Sequence, residues 1–224
     1  MSKLVWDETG KHFFEAGVEM GVLYIPTDGA YSKGVVWNGL SKVSEKPSGA
    51  EPSPVYADNN QYLNLMSAEK FTATLEAYTY PDEFAICDGS AELSKGVTIG
   101  QQTRKQFGLC YRTKVGNDID QELGYKLHLI YGAQAAPSEK GYTTIGDKVD
   151  ALTMSWEMST TPVKVKGFKP TASLTIDSTK ADPTKLAALE AILYGKDPTT
   201  EHGTDGVEPR LPLPDEIATM MAAG

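Results

Sequence analysis

Residues 107–135 constrain the fold most, because two stretches of strict two-residue alternation flank a polar turn. In "FGLCYRTKV" (107–115), Phe107, Leu109, Tyr111 and Val115 fall on one side and Arg112 and Lys114 on the other. In "ELGYKLHLIYGAQA" (122–135), Leu123, Tyr125, Leu127, Leu129 and Tyr131 repeat the pattern, with Lys126 and His128 opposite. Side chains alternate across a strand, so the pair predicts an antiparallel hairpin around "GNDIDQ" with one apolar and one solvated face.

The same period recurs in "GVLYIP" (21–26), "GVVWNGLSKV" (34–43), residues 70–80, "DALTMSWEMSTTP" (150–162) and "TASLTIDS" (171–178). Strand 70–80 sets Phe71, Ala73, Leu75 and Ala77 against Thr72, Thr74, Glu76 and Tyr78, then runs into "YPDEFAICDG", read as a packed turn. One helix is marked, over "DPTKLAALEAILYG": Asp182 is the N-cap, Pro183 the first helical residue, and Gly195 the stop. Leu186, Leu189, Ile192 and Leu193 form its packing stripe, and Glu190 falls at the margin where its carboxylate reaches water. The chain therefore reads as a mainly β, antiparallel sandwich or barrel with one flanking helix.

Two segments lack this period. Residues 44–61 hold Pro47, Gly49, Pro52 and Pro54 and read as a long inter-strand loop, since each proline removes a ladder donor. Residues 91–106 read as a second polar connection. Beyond Gly195 the chain turns rich in proline and acid, an extended arm with a short helix started at Pro214–Asp215. The expected division is a β-domain over 1–195, with its helix at about 183–194, and a C-terminal arm over 196–224.

With 21 Lys+Arg against 30 Asp+Glu, the net charge of −9 argues against a nucleic-acid-binding role. No apolar run approaches the roughly 18 residues of a transmembrane helix, and "MSKLVWDETGKHFF" lacks a signal-peptide core. A soluble cytoplasmic product follows, with Cys87 and Cys110 as reduced, buried thiols.

Chemistry is sparse. His12, His128 and His202 share no metal-ligand spacing, and His128 reads as a surface histidine. Asp118, Asp120 and Glu122 alternate like the start of a calcium loop, but the sixth position lacks its glycine and the twelfth is Leu129. Cys87 follows "FAI" without a histidine neighbour, so it reads as a small buried hydrophobe. Trp6, Trp37 and Trp156 could form a sugar platform, yet Trp37 and Trp156 sit where core packing uses them. With no phosphate loop, nucleophile elbow or zinc motif, no catalytic, cofactor or metal residue is assigned, and an enzyme ranks last.

The order of features, with "YPDEFAICDG", "FGLCYRTKVGND", "KLHLIYGAQAAPSEK" and "WEMSTTPV" as its most specific pieces, resembles the major tail protein (tail tube protein) of long-tailed bacteriophages. That resemblance implies a virion protein assembled in the host cytoplasm as stacked hexameric rings around a channel, without cofactor, metal or membrane. It implies as partners further copies of the chain, a tape measure protein in the lumen, tail terminator and distal tail proteins at the ends, and DNA in unspecific passage. It assigns ring stacking to the long loop, here Lys46, Pro47, Ser48, Gly49, Glu51, Pro52, Pro54, Tyr56, Asp58 and Asn59. The competing readings are a carbohydrate- or receptor-binding β-sandwich of a virion and the inner tube of a contractile machine.

Overall fold

The structure, a computed structural model, describes residues 3–145, 151–199 and 204–222. The chain lays down β1 (Phe14–Tyr24), β2 (Gly34–Trp37) and β3 (Leu40–Glu45), then four short strands, β4 (Ser48–Gly49), β5 (Pro52–Ala57), β6 (Asn60–Met66) and β7 (Glu69–Lys70). After β8 (Thr72–Ala77) a 3-10 turn spans Asp82–Ile86, followed by a small hairpin of β9 (Ala91–Ser94) and β10 (Val97–Ile99). The long strands β11 (Phe107–Gly116) and β12 (Gly124–Ala135) precede β13 (Met154–Thr160), β14 (Ser173–Asp177), α1 (Pro183–Tyr194) and α2 (Pro214–Ala222).

One antiparallel sheet dominates, in the order β2-β1-β11-β12-β13-β8-β3, with β14 paired to β12. Its two end strands, β2 and β3, are joined only by Asn38–Gly39, so the sheet must curl until its ends meet. Residues 34–43 are therefore two strands and not one. Gly39 takes φ +78°, which a side chain would strain, and Asn-Gly is the dipeptide such turns favour. Trp37 sits at this seam, 2% exposed, its ring 4.6 Å from Phe84 and 6.0 Å from Trp156.

Both faces of the central hairpin are buried, against the expectation of one solvated face. Leu23, Leu75, Phe107, Leu109, Ile130 and Trp156 fill the barrel, and Phe84 of the 3-10 turn caps them, as the packed turn required. Cys110, Leu127, Leu129, Tyr131 and Ile176 face outward and are covered by α1 and α2. The two apolar sets read as one face lie on opposite faces: Tyr111 pairs with His128 and Cys110 with Leu129, so Phe107, Leu109 and Tyr111 of β11 point into the barrel while Leu127, Leu129 and Tyr131 of β12 point out.

Asp182 caps α1 by accepting from the backbone N–H groups of Thr184 and Lys185 at 2.9 and 3.0 Å. Leu186, Leu189 and Leu193 are buried and Ile192 is half-buried at the margin. Glu190 departs from expectation: its Oε1 is buried without a hydrogen-bond partner. Residues 207–217 lie against the sheet and α1 of their own chain. Arg210 N–H donates to Ile192 O at 2.8 Å, Gly34 N–H to Pro209 O at 2.7 Å, and the Tyr131 hydroxyl to Pro212 O at 2.9 Å. Leu211 and Ile217 thereby complete the outer core.

Candidate assembly surfaces

Among the described residues no group of three His, Cys, Asp or Glu could hold a metal ion. Cys87 and Cys110 are free and buried, and burial pushes each thiol up to about 12, which keeps them protonated and unreactive at neutral pH. Asp118 and Asp120 of the 117–122 turn accept from backbone groups, and Glu122 accepts from Lys114 Nζ at 3.2 Å. Asp118 accepts from Gly10 N–H at 3.0 Å and His12 N–H at 3.3 Å, and Asp120 accepts from Glu122 N–H at 2.9 Å. Trp37 and Trp156 are core residues, Trp156 donating its Nε1–H to buried Asp88 at 2.9 Å. Asp88 also receives Lys140 at 2.9 Å, a satisfied buried carboxylate that pins the 136–145 segment to the barrel. His202 lies outside the described residues.

His128 is not a surface histidine. Its imidazole stacks on Tyr111 at 4.7 Å between centroids, inside one end of the barrel, and its side chain is 12% exposed. Nε2 lies 3.0 Å from Thr113 Oγ1 and 3.3 Å from Glu15; Nδ1 lies 3.6 Å from Glu45, an ion-pair distance too long for a hydrogen bond. Glu15 also receives Lys126 Nζ at 2.5 Å, and Glu45 the Tyr111 hydroxyl at 2.5 Å. This plug ties β1, β3, β11 and β12 together at the barrel mouth. A strand period alone missed it, because polar residues inside a barrel end alternate like polar residues outside.

Both carboxylates of the plug lie below the ordinary range. For Glu15 burial pulls upward, but the hydrogen bonds from Lys126 and Thr113 outweigh it; for Glu45 the neighbouring His128 lowers it most, against burial, with Tyr111 adding to the fall. A carboxylate depressed on folding stabilises the fold above its unfolded value and loses that contribution as pH falls through the folded one. The melting temperature should therefore drop below about pH 4.5, the ordinary Glu value. Glu15→Gln with Glu45→Gln should flatten that acid limb, and an unchanged limb in calorimetry would remove the plug from the account.

The segment expected as a loop is a two-stranded ribbon standing off the barrel. At its base, Lys46 N–H donates to Thr72 O at 2.7 Å; Pro47 follows, and Ser48 and Gly49 pair with Lys70 and Glu69. Ser67 N–H donates to Glu51 O at 3.3 Å and its Oγ accepts from Glu51 N–H at 3.1 Å, and Pro52, Pro54 and Tyr56 lie in β5 opposite β6. Asp58 and Asn59 form the tip with φ +49° and +61°, the left-handed pair that a two-residue hairpin turn needs. Ser67 N–H bonds to Glu51 O, so 53/65 and 55/63 are the bonded pairs of this ladder. Pro52 and Pro54 occupy the intervening sites, where the missing N–H would have pointed outward. The prolines thus tolerate the ribbon and bar a further strand on that edge. Asp58–Asn59 between "VYA" and "QYL" was the available sequence signal.

Every residue from 51 to 70 is exposed. Val55, Leu63 and Leu65 share one face, Pro52, Pro54 and Met66 the other, and neither meets the barrel core. An isolated two-stranded ribbon is marginal in water, and one with apolar residues on both faces needs a covering partner. Leu4, Val5 and Trp6 of the N-terminal arm are 71–73% exposed. Leu93, Val97 and Ile99 of the β9–β10 hairpin, in the segment expected to lack an element, are exposed too. Three projections, all with apolar side chains, leave one barrel.

No protein-family model and no curated protein matches the chain. Among solved structures, a chain of the six-fold symmetrised anti-feeding prophage (AFP) baseplate aligns over 80% of this chain and 99% of its own, at 11% identity and a TM-score of 0.37. Those values are too low to carry fold or function from one chain to the other.

Proposed function

We propose that this chain is a structural subunit of a phage tail tube, whose rings of six copies stack around a channel. The observation that carries the reading is the ribbon over residues 51–67, an exposed hairpin with apolar residues on both faces and no site in its own domain. A second copy is the partner that every molecule in a homopolymer has at hand. Two unlike interfaces suffice, one that closes into a ring and one that does not and so propagates a filament. Lys46, Pro47, Ser48 and Gly49 at the base of the ribbon, and Glu51 to Asn59 along it, serve stacking between rings. The α1 stripe of Leu186, Leu189, Ile192 and Leu193 serves the subunit's own core.

An acidic wall suits a DNA conduit, because like charge keeps the genome from adhering. The face of β8 and β13 that carries Thr72, Thr74, Glu76, Ser155, Glu157 and Ser159 in register is polar, with Glu76 paired to Lys42 at 3.0 Å and Glu157 exposed, and is the candidate for the channel wall. Tape measure, terminator and distal tail proteins are the further partners this role entails, and the virion tail is its location. Negative-stain microscopy of the purified protein should show six-fold rings and tubes. A protein that stays monomeric at high concentration and is missing from tails contradicts the proposal.

A further inference from the structure

Between Glu157 and Asp177 the chain carries three cations and no acid. They are Lys164, Lys166 and Lys169, and no other six-residue window of this sequence holds three. All three are exposed, and among the described residues none of them makes an ion pair. Phe168, between the second and the third, is 80% exposed, so the domain's own packing makes no use of its ring. A merely solvated lysine face has no need of that aromatic.

The loop that carries them, between β13 and β14, has a fixed shape. Val163 and Thr171 close its neck with two backbone hydrogen bonds of 2.8 and 3.0 Å. Val163 packs on the outer core, and Pro162 and Pro170 flank the neck with restricted φ. Lys164 and Lys166 alternate with the half-buried Val163 and Val165, which turns both ammonium groups outward. At the tip Phe168 N–H donates to Val165 O at 3.2 Å, and Gly167 takes φ +80°, where a side chain would be strained. Asp215 of α2 accepts from the backbone N–H of Lys166 at 2.8 Å, bracing the loop without occupying an ammonium group. A surface held in place before binding loses little entropy when it binds.

With these three charges set aside, the net −9 becomes −12 for the rest of the chain. That surplus selects the kind of anion the loop can hold. A nucleic-acid duplex or a bilayer is an extended anionic surface, and docking it brings acidic protein surface within a Debye length, about 8 Å. A short acidic peptide touches the loop alone and escapes that repulsion. We propose that residues 163–171 are a docking site for a short acidic segment of a different protein, a run of Asp and Glu around one apolar residue. Its carboxylates pair with Lys164, Lys166 and Lys169, and its apolar side chain packs on Phe168, an aromatic anchor inside a charged rim. The site goes beyond the assembly reading and does not depend on it.

The test titrates the full, isotope-labelled chain with a short peptide of glutamates around one leucine, followed by amide chemical shifts. Shifts should appear at 163–171, saturate, and shrink when NaCl rises from about 50 to about 500 mM. Reversing all three lysines (Lys164→Glu, Lys166→Glu, Lys169→Glu) should weaken binding at least about tenfold, since each exposed pair contributes up to about fivefold. Phe168→Ala should weaken the leucine peptide about fivefold or more and leave an all-glutamate peptide unchanged. The four side chains are exposed, so unchanged shifts elsewhere will verify that the variants fold. Shifts that never saturate, that scatter over other surfaces, or that survive the triple reversal overturn the proposal. So does equal or tighter binding of an oligothymidylate or of phosphatidylserine vesicles, which would give the loop to nucleic acid or to a membrane. If the triple reversal abolishes association of the chain with itself, the occupant is a second copy and the proposal falls. Saturable, lysine-dependent peptide binding by a protein that never forms tubes would reject the tube reading and leave the docking site standing.

Discussion

Joining Gly49 to Glu69 through an Asn-Gly turn, with residues 50–68 removed, is expected to yield a folded monomer that no longer forms tubes. Gly49 and Glu69 are cross-strand partners, so a two-residue turn can close the shortened ladder. The removed segment contributes nothing to either core, and the Lys46–Thr72 bonds that anchor its base remain. The melting temperature should stay within about 4 °C of the parent, a change worth about 1 kcal/mol or less. Assembly should fail, since the surface taken away is the largest apolar projection with no place in its own fold. Electron microscopy reads the outcome, and tubes of normal length would show that the ribbon does not join rings.

Leu189→Asp is expected to unfold the subunit whether or not it assembles. Leu189 is 0% exposed and packs among Leu127, Leu129 and Tyr131 beneath α1. Losing a buried leucine costs about 2–5 kcal/mol, and an unpaired buried carboxylate adds several kcal/mol more. Against a total stability of about 5–15 kcal/mol, little folded protein should remain. Leu189→Met, close in volume, should cost less than about 1.5 kcal/mol and serves as the control. Urea unfolding of the monomer separates the cases. A Leu189→Asp protein that folds normally and only fails to assemble would place this helix face at a subunit interface.

The elements legible in the sequence were those whose period and burial agree. Ala73, Leu75 and Ala77 of β8, Trp156 and Met158 of β13, and Leu186, Leu189 and Leu193 of α1 are buried where alternation or helical spacing put them. The N-cap at Asp182 and the stop at Gly195 also lie where local chemistry demands. Elsewhere the signal described a contact the chain cannot state locally. The 48–70 ribbon was obscured by prolines, which exclude a strand only where their N–H is needed. His128 looked exposed because a barrel end admits polar side chains, here paired with Thr113 and Glu15 through Nε2 while Nδ1 is buried without a hydrogen-bond partner. The C-terminal segment had too few apolar residues to fold alone and shares those of α1 and the sheet instead. The projecting surfaces were harder still, since an apolar residue reads as core until a structure shows that it is 60–70% exposed, as Leu65 and Trp6 nearly are at 58% and 73%.

The central claim is that apolar surface left bare on one subunit is buried by other copies in a tube. A cryo-electron microscopy reconstruction of assembled protein tests it most directly. The account predicts stacked rings of six, with residues 51–67 of each subunit seated against the adjoining ring and the barrel unchanged within. Ribbons projecting free from the outside of the assembly, or particles that never pass beyond the monomer, would contradict it.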